Sequence, residues 1–232
     1  MDIRLDSIRL RLDAFSLTAD LAVPSGASVA LVGPSGAGKS SVLNLVAGFH
    51  APADGRIWIG GKDHTQTAPS DRPVTMVFQD HNLFPHLNVA DNVALGLDPG
   101  LRLSPQQVVQ RQNVLADVDL DGMLDRKPAD LSGGQQSRVA LARALVRDRP
   151  VLLLDELFAA LGPALRAEML DLVRARQASS GMTVLMVTHD IRDAERIADL
   201  VILVADGVAH APVATRRLLA DPPQALRDYL GT

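Results

Sequence analysis

Residues Gly33-Pro34-Ser35-Gly36-Ala37-Gly38-Lys39-Ser40 read GPSGAGKS and fit the pattern G-x-x-x-x-G-K-[ST]. Glycines let a backbone wrap closely enough for several N–H groups to converge on an anion. A helical pattern, KSSVLNLVAG, follows, and its positive N-terminal end favours the same anion. A short apolar strand, SVALVG, precedes it, which is the context this motif requires. The chemistry implied is capture of a nucleotide triphosphate with Mg²⁺. Lys39 would reach the β- and γ-phosphates, Ser40 would place its hydroxyl on the metal, and Ser41 would lie within reach of a phosphate.

A second pair of chemical residues stands at the end of VLLLDE. Four apolar residues, Val151 to Leu154, run into Asp155 and Glu156. In an open parallel sheet, ligands bind beyond the carboxyl ends of the strands, so both acids fall at the phosphate edge if the two strands are neighbours. Adjacent residues at a strand end can serve two positions. Asp155 would hold Mg²⁺, and Glu156 would orient or deprotonate an attacking water, the parts that phosphoryl transfer needs.

A third feature is LSGGQ, Leu131 to Gln135, which ends 20 residues before Asp155. Ser132 reads as a helix cap, and GQQSRVALARAL continues as an amphipathic helix. The exposed N–H groups of Ser132, Gly133, Gly134 and Gln135 make a second anion site. A chain with one phosphate loop has little use for a second such site of its own. The site makes sense if it serves another subunit.

These residues need a scaffold. IRLDSIRLRL and FSLTADLAV alternate, as the strands of an antiparallel hairpin do. GRIWIGGKD reads as a strand and turn, and PVTMVF as an apolar strand. From residue 80 to about residue 149 the pattern is helices and loops, including a capping box at Ser104 and Gln107 with Pro105 at the first helical position. Strand and helix then alternate again: VLLLD, PALRAEMLDLVRARQASSG, MTVLMVTHD, IRDAERIA, and a hairpin DLVILVADGVAHA turning at Asp206-Gly207. This order predicts a mainly parallel sheet wrapped by helices, with a helical insertion in the middle.

Composition narrows the class. The 232 residues are 47% hydrophobic and 22% charged, as in a soluble globular chain with one substantial core. A net charge of -4 implies no broad basic face and argues against a nucleic-acid partner. The absence of cysteine excludes disulfides and thiolate metal sites and suits a reducing compartment. The charged, alternating start is no signal peptide, and the apolar runs are too short to span a bilayer. Any membrane role would come through a partner.

Taken together, the phosphate loop, the apolar strand with its two acids, and LSGGQ resemble the ABC (ATP-binding cassette) ATPases over essentially the whole chain. The resemblance implies an α/β fold: a P-loop NTPase (RecA-like) core with an N-terminal antiparallel β subdomain, over residues 1–79 and 150–232, and an inserted helical subdomain over 80–149. It implies ATP and Mg²⁺ as cofactors and a head-to-tail homodimer, or paired cassettes. In that dimer each ATP lies between one subunit's phosphate loop and the other's Ser132–Gln135. Two further residues acquire roles from the resemblance. Gln79 matches the Q-loop glutamine, a sensor at the Mg²⁺ and water. His189, at the end of TVLMVT, matches the switch histidine that contacts the γ-phosphate. The other histidines, His50, His64, His81, His86 and His210, show no metal spacing and read as solvent or loop residues.

The stretch RPVTMVFQDHNLFPHLNVADNVALGL is similar to importer cassettes, in which the segment after Gln79 receives a helix of an integral membrane permease. Within that group, residues 63–103 resemble the ATPases of bacterial thiamine importers. The implied setting is peripheral, at the cytoplasmic face of the inner membrane, with a periplasmic substrate-binding protein as an indirect partner. The alternatives are an ABC ATPase for a different small solute and a nucleotide-binding subunit with weakened hydrolysis.

Several positions depart from the family pattern. Leu157 stands where proline is usual, and it either packs or sits exposed. Gly162 stands where an aspartate helps couple the two sites of the dimer. Gln136-Ser137-Arg138 replaces R-Q-R. The residue that would stack on adenine falls near Leu12, with Phe15 the only upstream aromatic, and Phe15 reads equally as core.

Overall fold

The computed structural model describes residues 1–13, 15–159, 161–224 and 226–227. The expected hairpin is present: β1 (Ile3–Leu12) pairs antiparallel with β2 (Phe15–Val23). Its apolar residues Ile3, Leu5, Ile8 and Leu10 break strict alternation by one residue. An irregularity between Leu5 and Ile8, with Ser7 at φ 51, absorbs the extra residue and keeps all four side chains inward.

The core strands follow. β3 (Ser28–Val32) leads into α1 (Lys39–Ala47). β4 (Asp54–Ile59) and β5 (Lys62–Asp63) extend the N-terminal hairpin, and β6 (Val74–Val77) begins the far edge. Between β6 and β7 (Val151–Asp155) lie α2 (Val89–Ala94), α3 (Pro105–Asp117) and α4 (Gly133–Leu145). The capping box expected at Ser104 forms, with Gln107 reaching back. α5 (Pro163–Ser180), β8 (Thr183–Val187), α6 (Ile191–Ile197) and β9 (Leu200–Ala205) complete the alternation. β10 (Val208–Ala209), β11 (Val213–Ala214) and α7 (Thr215–Ala220) close the described chain.

The sheet order is β5-β4-β1-β2-β10-β9-β3-β8-β7-β6, with β11 on β9. The run β9-β3-β8-β7-β6 is parallel. Its strands are buried on both faces, which is why they read as continuous apolar runs. Val29 and Leu31 join one apolar layer, with α1, while Ala30 and Val32 join the other, with α4. The turn at Asp206-Gly207 forms as expected, and β10 does more than complete a hairpin. It pairs parallel with β2, Val208 opposite Thr18, and fuses the N-terminal strands to the core.

One positional premise is corrected. β3 and β7 are not neighbours, because β8 lies between them. Both still end at the same sheet edge, since β3 and β7 run parallel to β8 in continuous register. Among the described residues no helix is long and apolar enough to cross a membrane.

Candidate functional site

The phosphate loop is shaped by its glycines. Gly33 sits at φ 146, Gly36 at φ 75 and Gly38 at φ 103. Gly38 is the N-cap of α1 and has no side chain to cap it, so the first N–H groups of the helix receive no side-chain acceptor there. Lys39 is buried, and its ammonium donates to the carbonyls of Gly33 (2.9 Å) and Pro34 (2.8 Å). Its pKa is lowered by burial, an effect that the charges of Glu156 and Asp155 oppose.

The contact that unites the loop with the acids is Ser40 Oγ donating to Asp155 Oδ1 at 2.9 Å, across 115 residues of sequence. Burial raises the Asp155 carboxyl above its ordinary range, and the neighbouring Glu156 charge adds to that; the Ser40 hydrogen bond and Lys39 oppose it. The sign follows from linkage. A raised folded pKa contributes stability that is fully present below the unfolded value and is lost as pH rises through the folded pKa. Burial of Asp155 therefore costs stability as pH rises through that range. Asp155→Asn keeps the acceptor for Ser40 and removes the charge. It is expected to raise the unfolding midpoint of the nucleotide-free chain at pH 7, with no gain below about pH 3.9. It should also lower Mg²⁺-dependent ATP turnover by about 10²-fold or more. An unchanged or lower midpoint at pH 7 would refute the electrostatic account.

Glu156 follows at φ 48, a conformation rarely held by a residue with a side chain. Its N–H donates to Val187 O at 3.3 Å, so β8 fixes the turn that carries it. His189 lies exposed two residues beyond β8 and shares a small cleft with Glu156, lined also by Thr188 and Asp193. Leu157 is buried at 3% exposure. Of the two placements open to it, the structure takes packing: the position gives up proline's fixed φ and gains core contact.

Gln79 lies exposed two residues beyond β6, next in the sheet to β7. The turn before α4 is self-capped: Ser132 Oγ accepts from Gln135 N–H, and Gln135 Oε1 accepts from Ser132 N–H at 2.9 Å. Its two glycines differ. A Cβ on Gly134 would meet Leu165 at 2.6 Å, whereas one on Gly133 would meet nothing within 4 Å. Gly134 therefore lets α4 approach α5, and Gly133 keeps an open face. Among the described residues no hydrogen bond joins Ser132–Gln135 to residues 33–41.

The departures also find places. Gln136 supports the turn from below, donating to Pro128 O and Leu131 O. Ser137 Oγ lies 2.7 Å from His81 Nε2 and donates to Gly133 O. His81 lies in a loop, as expected, yet it is half-buried against α4 and not in solvent, and burial lowers its pKa. Arg143 donates to the carbonyls of His81 and Asn82, both at positive φ, and so fastens the segment after Gln79 to α4. The sequence signal for this was thin: an ordinary histidine and a small polar residue in a helix 56 residues away. Phe15 is half-buried, with its ring over Gly38, where a Cβ would lie 2.6 Å from it.

Gly162 is the N-cap of α5, at φ -63, with no side-chain cap and open space where a Cβ would stand. Nothing there requires glycine. Gly162→Asp is expected to add about 0.5–1 kcal/mol to stability by capping the helix and restricting the unfolded chain. Chemical denaturation tests it, and a loss of stability would be the contrary result.

Comparison with known proteins identifies the family. The family model described as ABC transporter matches residues 17–159. A thiamine import ATP-binding protein of a Ruegeria species is 52% identical, covering 99% of each chain. One from Cereibacter sphaeroides is 54% identical over the same share. Among solved structures, an ATP-binding cassette in a dimeric post-hydrolysis state bound to ADP and Pi is similar at a TM-score of 0.80. It is 30% identical and covers 92% of this chain and 99% of its own. A nucleotide-free cassette from an ABC transporter matches in fold at a TM-score of 0.85, with 23% identity and full coverage of both chains.

Proposed function

Since the chain belongs to the ABC transporter family of ATP-binding cassettes, we propose that it is the ATP-hydrolysing subunit of a bacterial thiamine importer. The observation that carries the hydrolytic reading is the Ser40–Asp155 contact, with Lys39 enclosed beside it and Glu156 next in sequence. The substrate reading rests on similarity along almost the whole chain to thiamine import ATP-binding proteins.

The donor set fits Mg²⁺. Ser40 and Asp155 offer hard oxygens, and among the described residues no group of three or more His, Cys, Asp or Glu side chains is placed to hold a metal. That suits an ion held by one carboxylate, one hydroxyl and the phosphates themselves. When bound, Mg²⁺ neutralises charge on the β- and γ-phosphate oxygens. Ser40 and Asp155 would hold it, with Gln79 adding a polar group from the adjoining strand end.

The chain's own residues do the rest. N–H groups among residues 35–41 surround the phosphates, and Lys39 exchanges carbonyl partners for phosphate oxygens. Phe15 offers an apolar face to the base beside Gly38. Glu156 accepts a proton from water as its oxygen bonds to the γ-phosphorus, while the bond from that phosphorus to the β-bridging oxygen breaks and ADP leaves. His189 donates a hydrogen bond to the γ-phosphate from the facing strand end. Ser132–Gln135 of one subunit, with Gly133 open, meets the ATP held by its partner. The helices between β6 and β7 carry this second half-site.

A cleft lined by Phe78, His81, Asn82, Phe84, Arg143 and Arg147 lies directly after Gln79, and Phe84 is 45% exposed. It offers a permease helix both apolar contact and cations. A periplasmic binding protein would deliver thiamine to the far side of that permease. Reconstitution of the chain with its permease in vesicles tests the whole reading. Thiamine-loaded binding protein should stimulate ATP turnover and drive thiamine uptake. Uptake of a different solute, with none of thiamine, would refute the substrate assignment and leave the ATPase assignment intact.

A further inference from the structure

Arg166 stands at the start of α5, where a cation opposes the helix dipole and gains nothing from it. Its side chain is only 15% exposed and fully engaged. Nε donates to Phe158 O at 3.1 Å and Nη2 to Ala159 O at 2.9 Å. Nη1 donates to Asp190 Oδ2 at 3.2 Å and lies 3.8 Å from Asp193 Oδ2. Asp193 in turn accepts from Thr188 Oγ1 at 2.8 Å.

The acceptors fall in two groups. Phe158 and Ala159 belong to the segment that leaves Glu156. Asp190 and, through Asp193, Thr188 flank His189 on both sides. A planar guanidinium with fixed donor directions is suited to holding such a set; a lysine ammonium is not. Asp190 is also bonded by Arg192, which with Arg166 holds its pKa at about 2, so it is ionised at neutral pH.

We infer that Arg166 is a positioning residue that locks the segment after Glu156 to the segment around His189, so that the two reach the γ-phosphate as one unit. This rests on the roles proposed for Glu156 and His189. With Gly162 lacking a carboxylate, this lock within one subunit joins the two halves of the hydrolytic site. In this role Arg166 acts through the two segments it joins.

The test uses the full chain assembled with its permease and four variants: Arg166→Met, Asp190→Asn, the double variant, and Glu156→Gln as reference. Asparagine keeps the α6 cap and loses the charge. Arg166→Met is expected to lower kcat about 10-fold, with KM for ATP within about 2-fold of the parent, the signature of a role confined to the transition state. Asp190→Asn should lower kcat similarly. The double variant should fall no more than about 2-fold below the lower single, since both break one link. If Arg166→Met does not fold, Arg166→Lys replaces it, again with lowered kcat and retained KM. A purely structural arginine would lower the melting temperature and leave kcat within about 2-fold of the parent, and that result overturns the inference. Multiplicative losses in the double variant overturn it as well. Turnover by Glu156→Gln at the parent rate would instead overturn the site reading on which it rests.

Discussion

Glu156→Gln should reduce ATP turnover by about 10²- to 10⁴-fold, the range expected for loss of a positioned general base. Glutamine matches glutamate in shape, so the turn held by Val187 O and its positive φ are unchanged. The amide can still orient a water; it cannot accept its proton. Phosphate capture depends on the loop, on Lys39 and on the Ser40–Asp155 pair, whose hydrogen bonds the substitution leaves in place while removing one neighbouring charge. ATP affinity should therefore hold within a few-fold. The variant should accumulate as an ATP-bound dimer, visible by size-exclusion chromatography with Mg²⁺-ATP and absent with ADP. Hydrolysis at the parent rate would remove Glu156 from the mechanism.

Gly33→Ala is expected to have the largest effect on stability. Gly33 holds φ 146, and a Cβ there would lie 2.0 Å from the carbonyl oxygen of Val204 in β9. That neighbour is backbone in a central strand and cannot turn aside. Conformational strain alone costs about 1–3 kcal/mol, and the overlap forces β3 and β9 apart. A total of about 3–5 kcal/mol is a large part of an ordinary domain's stability. Gly36→Ala is the internal comparison: φ 75, nothing within 4 Å, and an expected cost of about 1–2 kcal/mol. Denaturant midpoints for the two variants measure the difference. Equal costs would show that the close approach of β9 is not what demands glycine at residue 33.

What the sequence made readable was local. The phosphate loop, its strand and its helix are contiguous, so pattern and context appear together in residues 28–47. Ser104 and Ser132 announce their caps within four residues. The sheet edge shared by the loop and the acids was also deducible, because parallel strands present their carboxyl ends alike. Other features were not readable, for one recurring reason: they are pairings between distant residues that have no period or spacing. The insertion of β8 between β3 and β7 depends on strand order, which the apolar runs do not encode. The one-residue slip in β1 lies inside a stretch that reads as alternating, and only pairing with β2 shows the bulge that resolves it. His81 with Ser137, and Arg166 with Asp190, are ordinary surface residues until the fold buries them together. Leu157 had two placements in sequence terms, and the core selects one.

The long connection from β6 to β7 has a consequence for how the molecule opens. β6 has four residues and, among the described residues, pairs with β7 alone, at the edge of the sheet. Everything from Phe78 to Pro150 is one crossover between those two neighbours. β3 and β8, by contrast, are paired on both sides. Such a layout divides the chain into cooperative units of unequal protection. In amide hydrogen exchange, β6 and the helices of the crossover should open together at lower free energy than β3 and β8, which should exchange only on global unfolding. Gln79 would then be released in that partial opening while the phosphate loop stays closed. Equal protection of β6 and β3 would contradict this division.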